Sequence, residues 1–294
     1  MNKLAIITGA NTGLGFETAK ALLLDGCQVV MANRDLTKTK EAINKLRKLG
    51  LGDRVDYIQM DLEDRTSIEA FAANFENKYG KFDILVNNGG ALLPKYAITK
   101  NGLEKHFDVN YLGHFYLNSL LMEFLAKDGL VVSLGSLAHK MSIADIHFED
   151  ISFTNENYEK MKAYAQSKLA LTLYGVELAR KFEGSDKRSL IVHPGVSNTD
   201  IFSRYYGKIL GKILMPIVNW YGISGPKEGA QSIIYAIREK DIPNGSYIGP
   251  QGKKEWRGCP GFCNLSGKAL DDKLAKDLWE FSEKLIGNRF IVER

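Results

Sequence analysis

The chain has 294 residues, of which 45% are hydrophobic, 25% are charged and 10% are aromatic. This composition is ordinary for a globular protein with a sizeable core and argues against disordered and collagen-like chains. The 39 basic and 35 acidic residues leave a net charge of +4, which is too weak to favour nucleic acid as a partner. Three cysteines are too few for a disulfide framework and are typical of a reducing compartment. We therefore expect a soluble, cytoplasmic protein.

Short apolar runs alternate with longer amphipathic stretches along most of the chain. The pattern predicts strands at residues 3–7, 28–32, 55–60, 84–87, 130–134 and 190–192. It predicts helices at residues 14–25, 37–49, 66–79, 103–126 and 158–182. A later helix at residues 226–239, a strand at 246–248 and a terminal helix at 270–285 complete the prediction.

This alternation predicts the fold class. Strands that alternate with long helices are typical of right-handed βαβ units. Because the strands are nearly continuous apolar runs, we expect them to be parallel and covered by helices on both faces. The chain is therefore predicted to be an α/β protein with a doubly wound parallel sheet of the Rossmann type. No linker-like segment divides residues 1–294, so a single domain is expected.

A glycine-rich loop connects the first predicted strand to the first predicted helix. Gly9 would permit a tight turn, Gly13 would let the backbone approach a diphosphate, and Gly15 would let the helix lie close to the strand. The diphosphate would face the free N–H groups at the start of the helix. Such a loop alone is weak evidence, but its position between a strand and a helix strengthens the prediction of a dinucleotide site.

The residues after the second predicted strand indicate which dinucleotide is bound. An acid there holds the ribose 2′-hydroxyl of NAD, whereas an arginine accommodates the 2′-phosphate of NADP. Here Asn33 and Arg34 follow the strand, and Lys38 adds a second positive charge. This pattern favours NADP(H). The alternative is that Arg34 and Lys38 only begin a solvated helix.

Three further segments contain candidate catalytic residues. Tyr164 and Lys168 are four residues apart, so they share one face of a predicted helix. A nearby cation stabilises a phenolate and so suits the tyrosine for acid–base catalysis. Ser136 follows a predicted strand, where side chains face the crevice of an α/β sheet. Asn110 is a polar residue within an apolar helical stretch and needs a partner.

In these motifs the chain resembles the short-chain dehydrogenase/reductase family, and the resemblance covers nearly its whole length. The loop at residues 8–15 is similar to the family's cofactor loop, and residues 61–62 are similar to the pair that holds the adenine. Residues 87–90 resemble the signature after the fourth strand, and residues 193–199 resemble the segment that contacts the nicotinamide. The resemblance implies these cofactor-binding residues: Gly9, Asn11, Thr12, Gly13, Leu14, Gly15, Arg34, Lys38, Asp61, Leu62, Asn88, Gly89, Gly90, Tyr164, Lys168, Pro194, Gly195, Val196 and Thr199.

The same resemblance implies a catalytic tetrad of Asn110, Ser136, Tyr164 and Lys168. Tyr164 would exchange a proton with the substrate oxygen, and Ser136 would hold that oxygen. Lys168 would lower the pKa of the tyrosine and contact the nicotinamide ribose. Asn110 would anchor a water molecule that links Lys168 to solvent.

Several short sequence segments resemble one branch of the family, the retinol dehydrogenases and their bacterial relatives. They lie at residues 136–139, 163–170 and 193–196. This implies an NADP(H)-dependent oxidoreductase that acts on a carbonyl or alcohol, with a lipophilic aldehyde or ketone as substrate. The alternatives are double-bond reduction, as in the neighbouring protochlorophyllide reductases, and a non-catalytic NADP(H)-binding sensor or interaction module. Residues 1–130 would mainly bind cofactor, and residues 131–294 would provide catalysis and substrate binding.

The remaining expectations concern residues that depart from the family's pattern, the cysteines and possible partners. Gly89 replaces the usual alanine and Gly135 a usual serine, which we expect to loosen the backbone beside the nicotinamide. Cys259 and Cys263 do not have zinc-site spacing, so an ordered loop and no metal are expected. The apolar segment 205–221 is a substrate lid, a weak peripheral membrane contact or a cover for the core. The sequence leaves open whether the protein is a monomer or a homodimer.

Overall fold

The computed structural model describes residues 3–93, 95–154, 158–196 and 225–292. Within these ranges, eight strands form one sheet. The strands are β1 (Leu4–Thr8), β2 (Gln28–Asn33), β3 (Val55–Gln59), β4 (Phe82–Asn87), β5 (Leu125–Leu134), β6 (Arg188–Val192), β7 (Tyr247–Pro250) and β8 (Pro260–Phe262). The main helices are α1 (Gly13–Leu24), α2 (Leu36–Arg47), α3 (Arg65–Tyr79), α4 (Gly113–Leu121), α5 (Lys160–Lys181), α6 (Gln231–Arg238) and α7 (Asp272–Ile286).

The strand order is β3-β2-β1-β4-β5-β6-β7-β8, and all pairs except β7 with β8 are parallel. The order reverses between β1 and β4, which opens a crevice beyond the carboxyl ends of these two strands. Ligands of doubly wound sheets bind at such a switch point. The predicted fold class is therefore confirmed, and the candidate residues are expected at this edge.

Each face of the sheet is covered by its own hydrophobic core, because successive side chains of a strand point to opposite faces. In β1, Ile6 packs into the core on the side of α3, α4, α5 and α7. Its neighbours Ala5 and Ile7 pack into the core on the side of α1, α2 and α6. The strands are therefore buried on both faces, which explains their nearly continuous apolar sequences.

The helix predicted at residues 103–126 is wrong in its detail. A short helix at Lys105–Phe107 leads into a π-helical turn at Asp108–Leu112, and α4 follows. A 3₁₀ turn at Met122–Phe124 then ends the helical stretch, so that the last two predicted residues belong to β5. A π turn adds a residue to the helical repeat and often occurs at functional sites. Here it contains the candidate Asn110.

The loop predicted around Cys259 and Cys263 is also corrected. Residues Pro260–Phe262 form β8, which pairs antiparallel with β7. A three-residue strand containing proline and glycine has no alternating pattern, and proline is tolerated there because the strand lies at the edge of the sheet. The predicted helix at 226–239 is divided into Pro226–Gly229 and α6.

Two sequence predictions fall on residues outside the described ranges. They are Thr199 and the apolar segment 205–221. Among the residues that the structure does describe, none of the helices has the length and apolar character needed to cross a membrane.

Candidate active site

The glycine loop adopts the geometry that a bound diphosphate requires. Gly9 and Gly13 have positive φ angles of 64° and 59°, which favour glycine. A Cβ at Gly15 would lie 2.5 Å from the carbonyl oxygen of Gly9, so α1 packs directly against the loop. A Cβ at Gly13 would meet nothing within 4 Å, which leaves the backbone open to a ligand. The Thr12 side chain makes no capping hydrogen bond, so the first N–H groups of α1 are available to an anion.

The side chain of Thr8 joins the carboxyl ends of β1 and β4. Its hydroxyl accepts hydrogen bonds from the backbone N–H groups of Asn88 (2.9 Å) and Gly89 (2.7 Å). Nε2 of His114 lies 2.9 Å from the same hydroxyl, and burial lowers the pKa of His114 to about 4. Nδ1 of this neutral ring faces the carbonyl of Asn110 at 3.2 Å and therefore carries the ring proton. Thr8 thus donates to His114 while it accepts from the β4 segment.

A cavity of about 330 Å³ lies between the glycine loop and the ends of β2, β3 and β4. It brings together nine of the predicted cofactor residues: Gly9, Asn11, Thr12, Arg34, Lys38, Asp61, Leu62, Gly89 and Gly90. These residues come from four separate segments of the chain, and the fold brings them to one cavity, as the sequence motifs predicted. The cavity has the position expected for the adenosine half of a dinucleotide.

Asn33, at the end of β2, lines this cavity and has an unusual environment. The residue is 4% exposed, and neither its Oδ1 nor its Nδ2 has a hydrogen-bond partner in the protein. Buried polar atoms are rarely left unpaired. The carboxamide is therefore suited to a ligand hydroxyl or phosphate oxygen. Together with the open backbone at Gly13, this shows that the residues present fit a dinucleotide.

The basic residues predicted to read the 2′-phosphate are exposed and paired with acids. Nη1 of Arg34 lies 3.8 Å from Asp61 and 3.6 Å from Glu63. Nζ of Lys38 lies 3.6 Å from Asp35, which also caps α2. Exposed ion pairs of this kind are weak. A ligand phosphate can therefore compete with the acids for both cations.

The candidate catalytic hydroxyls lie together. Ser136 follows the carboxyl end of β5, and Tyr164 is on the first turns of α5. Burial raises the pKa of Tyr164 above its ordinary value, and the nearby Ser136 hydroxyl only partly opposes this effect. Tyr164 therefore remains protonated at neutral pH. Ser136 also accepts a hydrogen bond from the backbone N–H of Ala138 (3.2 Å), which fixes its orientation.

Lys168 lies one helical turn after Tyr164 and is 5% exposed. Its Nζ donates to the carbonyl of Leu134 at 2.8 Å and lies 6.0 Å from the centroid of the Tyr164 ring. Burial lowers the pKa of Lys168 to about 8. The Tyr–Lys spacing correctly predicted that the two side chains lie near each other. The expected lowering of the Tyr164 pKa by Lys168 is not found, because burial raises this pKa and Lys168 is not among the groups that shift it.

Asn110 uses its carboxamide within the protein. Oδ1 accepts from the backbone N–H of Ala91 at 2.7 Å, and Nδ2 donates to the Ala91 carbonyl at 3.0 Å and to the Ser167 hydroxyl at 3.1 Å. The side chain thus connects the segment after β4 to α5, next to Lys168. Its expected role in holding a water molecule stays a prediction.

The two unusual glycines do not loosen the backbone as expected. A Cβ at Gly89 would lie 2.8 Å from a methyl of Leu62, and the Gly89 N–H is bonded to Thr8. A Cβ at Gly135 would lie 3.3 Å from both Ile191 and Thr172. Neighbouring side chains therefore fill the space that the missing Cβ atoms leave.

The segment predicted to contact the nicotinamide is held by the loop between β7 and β8. Gly195 has a φ of 72°, and a Cβ there would lie 2.2 Å from the Trp256 carbonyl. That carbonyl accepts a hydrogen bond from the N–H of Val196 at 2.9 Å. The sequence motifs did not reveal the backbone contact of Trp256 or the position of His114 beside Thr8. His114 had a detectable signal, since it lies one helical turn after Asn110.

Three side chains near this segment could together hold a metal ion. Ligand atoms of His193, Glu255 and Cys263 lie within 4.8 Å of one another. However, Nδ1 of His193 accepts a hydrogen bond from the Gly195 N–H, so the neutral ring carries its proton on Nε2, toward Glu255. Burial lowers the pKa of His193 to about 4 and raises that of Cys263 to about 11. These protonation states favour an internal polar cluster over metal binding.

Known proteins resemble this chain over nearly its whole length. A sequence model of the family described as short chain dehydrogenase matches residues 3–147. Retinol dehydrogenase 14 of Mus musculus is 33% identical over 299 residues, which cover 97% of this chain and 86% of the relative. Polyprenol dehydrogenase of Homo sapiens is 32% identical over 296 residues, with the same coverage of 97% and 86%.

Two solved structures also resemble this chain over most of its length. An uncharacterised protein from Mycobacterium paratuberculosis has a TM-score of 0.80 and 32% identity, over 98% of this chain and 95% of that chain. Salutaridine reductase from Papaver somniferum has a TM-score of 0.63 and 22% identity, over 84% of this chain and 99% of that chain. At this lower identity the second likeness shows the fold alone.

Proposed function

The chain belongs to the short-chain dehydrogenase family and is therefore an oxidoreductase that uses a nicotinamide cofactor. We propose that it interconverts a lipophilic carbonyl compound and its alcohol with NADP(H). The observation that carries the proposal is the proximity of the Ser136 and Tyr164 hydroxyl groups to each other and to the buried Lys168. A sensor that only bound the dinucleotide would not need a buried cation next to a phenol. We therefore favour a working enzyme over a non-catalytic module.

The proposed preference for NADPH depends on the end of β2. The position where NAD-binding proteins have an acid is occupied by Asn33, and Arg34 follows it. The unpaired Asn33 carboxamide can bond to a ribose or phosphate oxygen without repelling a dianion. Arg34 and Lys38 line the same cavity and can exchange their weak acidic partners for the phosphate.

The side chains provide orientation and proton transfer, whereas the bound dinucleotide supplies the hydride. In the reductive direction Tyr164 donates its hydroxyl proton to the substrate oxygen. Ser136 donates a hydrogen bond to the same oxygen and holds it near Tyr164. Lys168 in its ammonium form stabilises the resulting phenolate, which lowers the free energy of proton transfer.

A lipophilic substrate is supported by the surroundings of the site. Met141 and Ile143 follow the Ser136 segment, and Trp256 adjoins the Gly195 segment; these three apolar side chains are 39%, 36% and 44% exposed. The names of the relatives, retinol and polyprenol dehydrogenases, refer to alcohols with long apolar chains. We therefore propose an alcohol or aldehyde of this type. The cytoplasmic location and the membrane contact at 205–221 stay predictions.

The test is a comparison of NADPH and NADH oxidation by the purified protein. The carbonyl panel should include retinal, farnesal, decanal, benzaldehyde and glyceraldehyde. Turnover with NADPH that increases with the length of the apolar chain would support the proposal. Preference for NADH would overturn the cofactor assignment alone, and preference for glyceraldehyde would overturn the substrate class alone.

Tyr164→Phe tests the mechanism, with Tyr158→Phe as its matched control. The Tyr158 hydroxyl lies 3.4 Å from Nδ1 of His106, outside the catalytic pair. We expect Tyr164→Phe to retain NADPH binding and to lose turnover by about 10²–10⁴-fold, whereas Tyr158→Phe should remain active. Undiminished turnover in Tyr164→Phe would exclude the proposed role.

A further inference from the structure

The loop between β7 and β8 turns back over the Gly195 segment. It is closed by backbone hydrogen bonds from Gln251 to Cys259 and from Gly252 to Arg257, both 2.9 Å long. At its tip Lys254 and Glu255 have positive φ angles of 56° and 58°. Two consecutive non-glycine residues in this region are strained and persist only where surrounding contacts hold them.

The contacts that hold Glu255 come from two separate parts of the chain. Its two carboxylate oxygens accept hydrogen bonds of 2.8 and 2.7 Å from Nζ of Lys140. One of these oxygens also lies 3.2 Å from Nε2 of His193. Burial alone would raise the pKa of Glu255, but Lys140, His193 and Cys263 outweigh this effect and lower the pKa below its ordinary value. The carboxylate is therefore charged at neutral pH.

Lys140 and His193 each belong to a segment of the candidate active site. Lys140 ends the 3₁₀ turn Leu137–Lys140, which begins directly after Ser136. His193 precedes Pro194 and Gly195, and its ring is fixed on several sides. It stacks on Tyr247 at a centroid distance of 5.0 Å and accepts a hydrogen bond from the Gly195 N–H. Movement of either side chain would therefore be transmitted to a segment that faces the reacting groups.

We propose that Glu255 is a positioning residue for hydride transfer. By holding Lys140 and His193, its carboxylate fixes the separation between the Ser136 segment and the segment of Pro194 and Gly195. The first segment orients the substrate oxygen and the second faces the nicotinamide. This inference rests on the proposed function, since it assigns the carboxylate a task in the same reaction.

Glu255→Gln tests the inference because it keeps the size of the side chain and removes its charge. We expect kcat with NADPH to fall by about tenfold to a hundredfold, since small displacements of reacting groups have effects of this size. The KM for NADPH should change much less, because the adenosine cavity does not contain Glu255. NADPH deuterated at the transferred position should show a larger kinetic isotope effect in the variant, because hydride transfer becomes more rate-limiting.

Two further variants separate positioning from general loss of structure. Lys140→Met should lower kcat similarly, and the double variant should lose little more than either single variant, because both act through one contact. Asp145→Asn is the matched control, since Asp145 pairs with Lys268 at 2.8 Å. It should leave kcat unchanged. A Glu255→Gln protein with unchanged kcat, or with a loss that matches its unfolded fraction, would overturn the inference.

A readout without turnover keeps this inference separate from the proposed function. The fluorescence lifetime of bound NADPH reports the surroundings of the nicotinamide. We expect a shorter lifetime in Glu255→Gln than in the wild-type protein, and none of this change in Asp145→Asn. An unchanged lifetime would overturn the positioning role even if no substrate were found. A wild-type protein that reduced no carbonyl but showed the lifetime change would fail only the proposed function.

Discussion

Nζ of Lys168 donates a hydrogen bond to the backbone carbonyl of Leu134, 2.8 Å away, where the side chain is only 5% exposed. Burial disfavours the charged form of a lysine and here lowers its pKa from 10.5 to about 8. The proposed mechanism needs that same charge beside Tyr164. Stability and catalysis therefore make opposite demands on one residue, as is common at active sites.

Replacing Lys168 should expose this conflict. The lowered pKa corresponds to a destabilisation of about 3 kcal/mol at neutral pH, and an unpaired Leu134 carbonyl would cost about 1 kcal/mol. We expect Lys168→Met to lose most turnover and to raise the free energy of unfolding of the cofactor-free protein by about 1–2 kcal/mol at pH 7. Urea denaturation measures the change in stability.

The pH dependence of this effect has a defined sign. Because the pKa of Lys168 is lower in the folded than in the unfolded protein, the unfolded chain binds more protons between about pH 8 and pH 10.5. The wild-type protein therefore gains stability as pH rises through this window. The advantage of Lys168→Met should be largest below about pH 8 and should shrink above it. An advantage that does not change with pH, or a variant less stable than the wild type at pH 7, would contradict this account.

Asn33→Asp should change the preference for the cofactor. The substitution places a carboxylate at the end of β2, where it can bond to a ribose 2′-hydroxyl but repels a 2′-phosphate. We expect the KM for NADPH to rise by about tenfold or more while the KM for NADH stays equal or falls. Asn44→Asp adds the same charge at an exposed position on α2 and is the control. Equal changes in the two variants would mean that net charge alone is responsible.

The sequence predicted the sheet well because its signals are local. Each parallel strand is an apolar run between a turn and an amphipathic helix, and this pattern does not depend on distant residues. The start of β5 was missed because it is set by pairing with β4. Phe82 pairs with Leu125 and Ile84 with Leu130, so the register shifts between the two pairs. No local pattern reports such an irregularity.

In the candidate site, too, the sequence predicted residues that lie in short motifs and missed a residue that depends on distant partners. Ser136, Tyr164 and Lys168 were found because they lie in short motifs, and the structure brings the three together. Glu255 was not found because its partner Lys140 is 115 residues away in the sequence. In the sequence, a glutamate in a polar loop cannot be told from a solvated one, and only the fold places Glu255 beside Lys140 and His193.

Gly9→Ala should impair cofactor binding as well as stability. Adding a Cβ at a positive φ costs about 1–2 kcal/mol for a non-glycine residue, and at Gly9 the new atom would also lie 3.0 Å from the Cα of Gly89. Gly26→Ala is the matched control, since Gly26 has a φ of 87° and a Cβ there would meet nothing within 4 Å. Thermal denaturation and NADPH titration should show a loss of stability in both variants, larger in Gly9→Ala, with weaker binding in Gly9→Ala alone. Unchanged NADPH affinity in Gly9→Ala would exclude the close contact of this loop with the cofactor.

Substitution of the exposed apolar residues near Ser136 should change substrate selection and leave the chemistry intact. Met141 and Ile143 are 39% and 36% exposed, so a bound apolar chain that covers them would gain from their burial. We expect Met141→Ser combined with Ile143→Ser to lower kcat/KM for farnesal by about tenfold, in line with the discrimination that a few methylene groups provide.

A short substrate, glyceraldehyde, and a substitution far from the site are the controls for this prediction. Turnover of glyceraldehyde should be unaffected in the double variant, because so small a molecule would not reach these side chains. Leu49→Ser removes a side chain that is 55% exposed just beyond the end of α2, and it should leave both substrates unchanged. An equal loss of kcat/KM for farnesal and glyceraldehyde would mean that Met141 and Ile143 stabilise the Ser136 segment instead of contacting the substrate. Unaltered kinetics for both substrates would instead put the apolar part of the substrate on another surface of the protein.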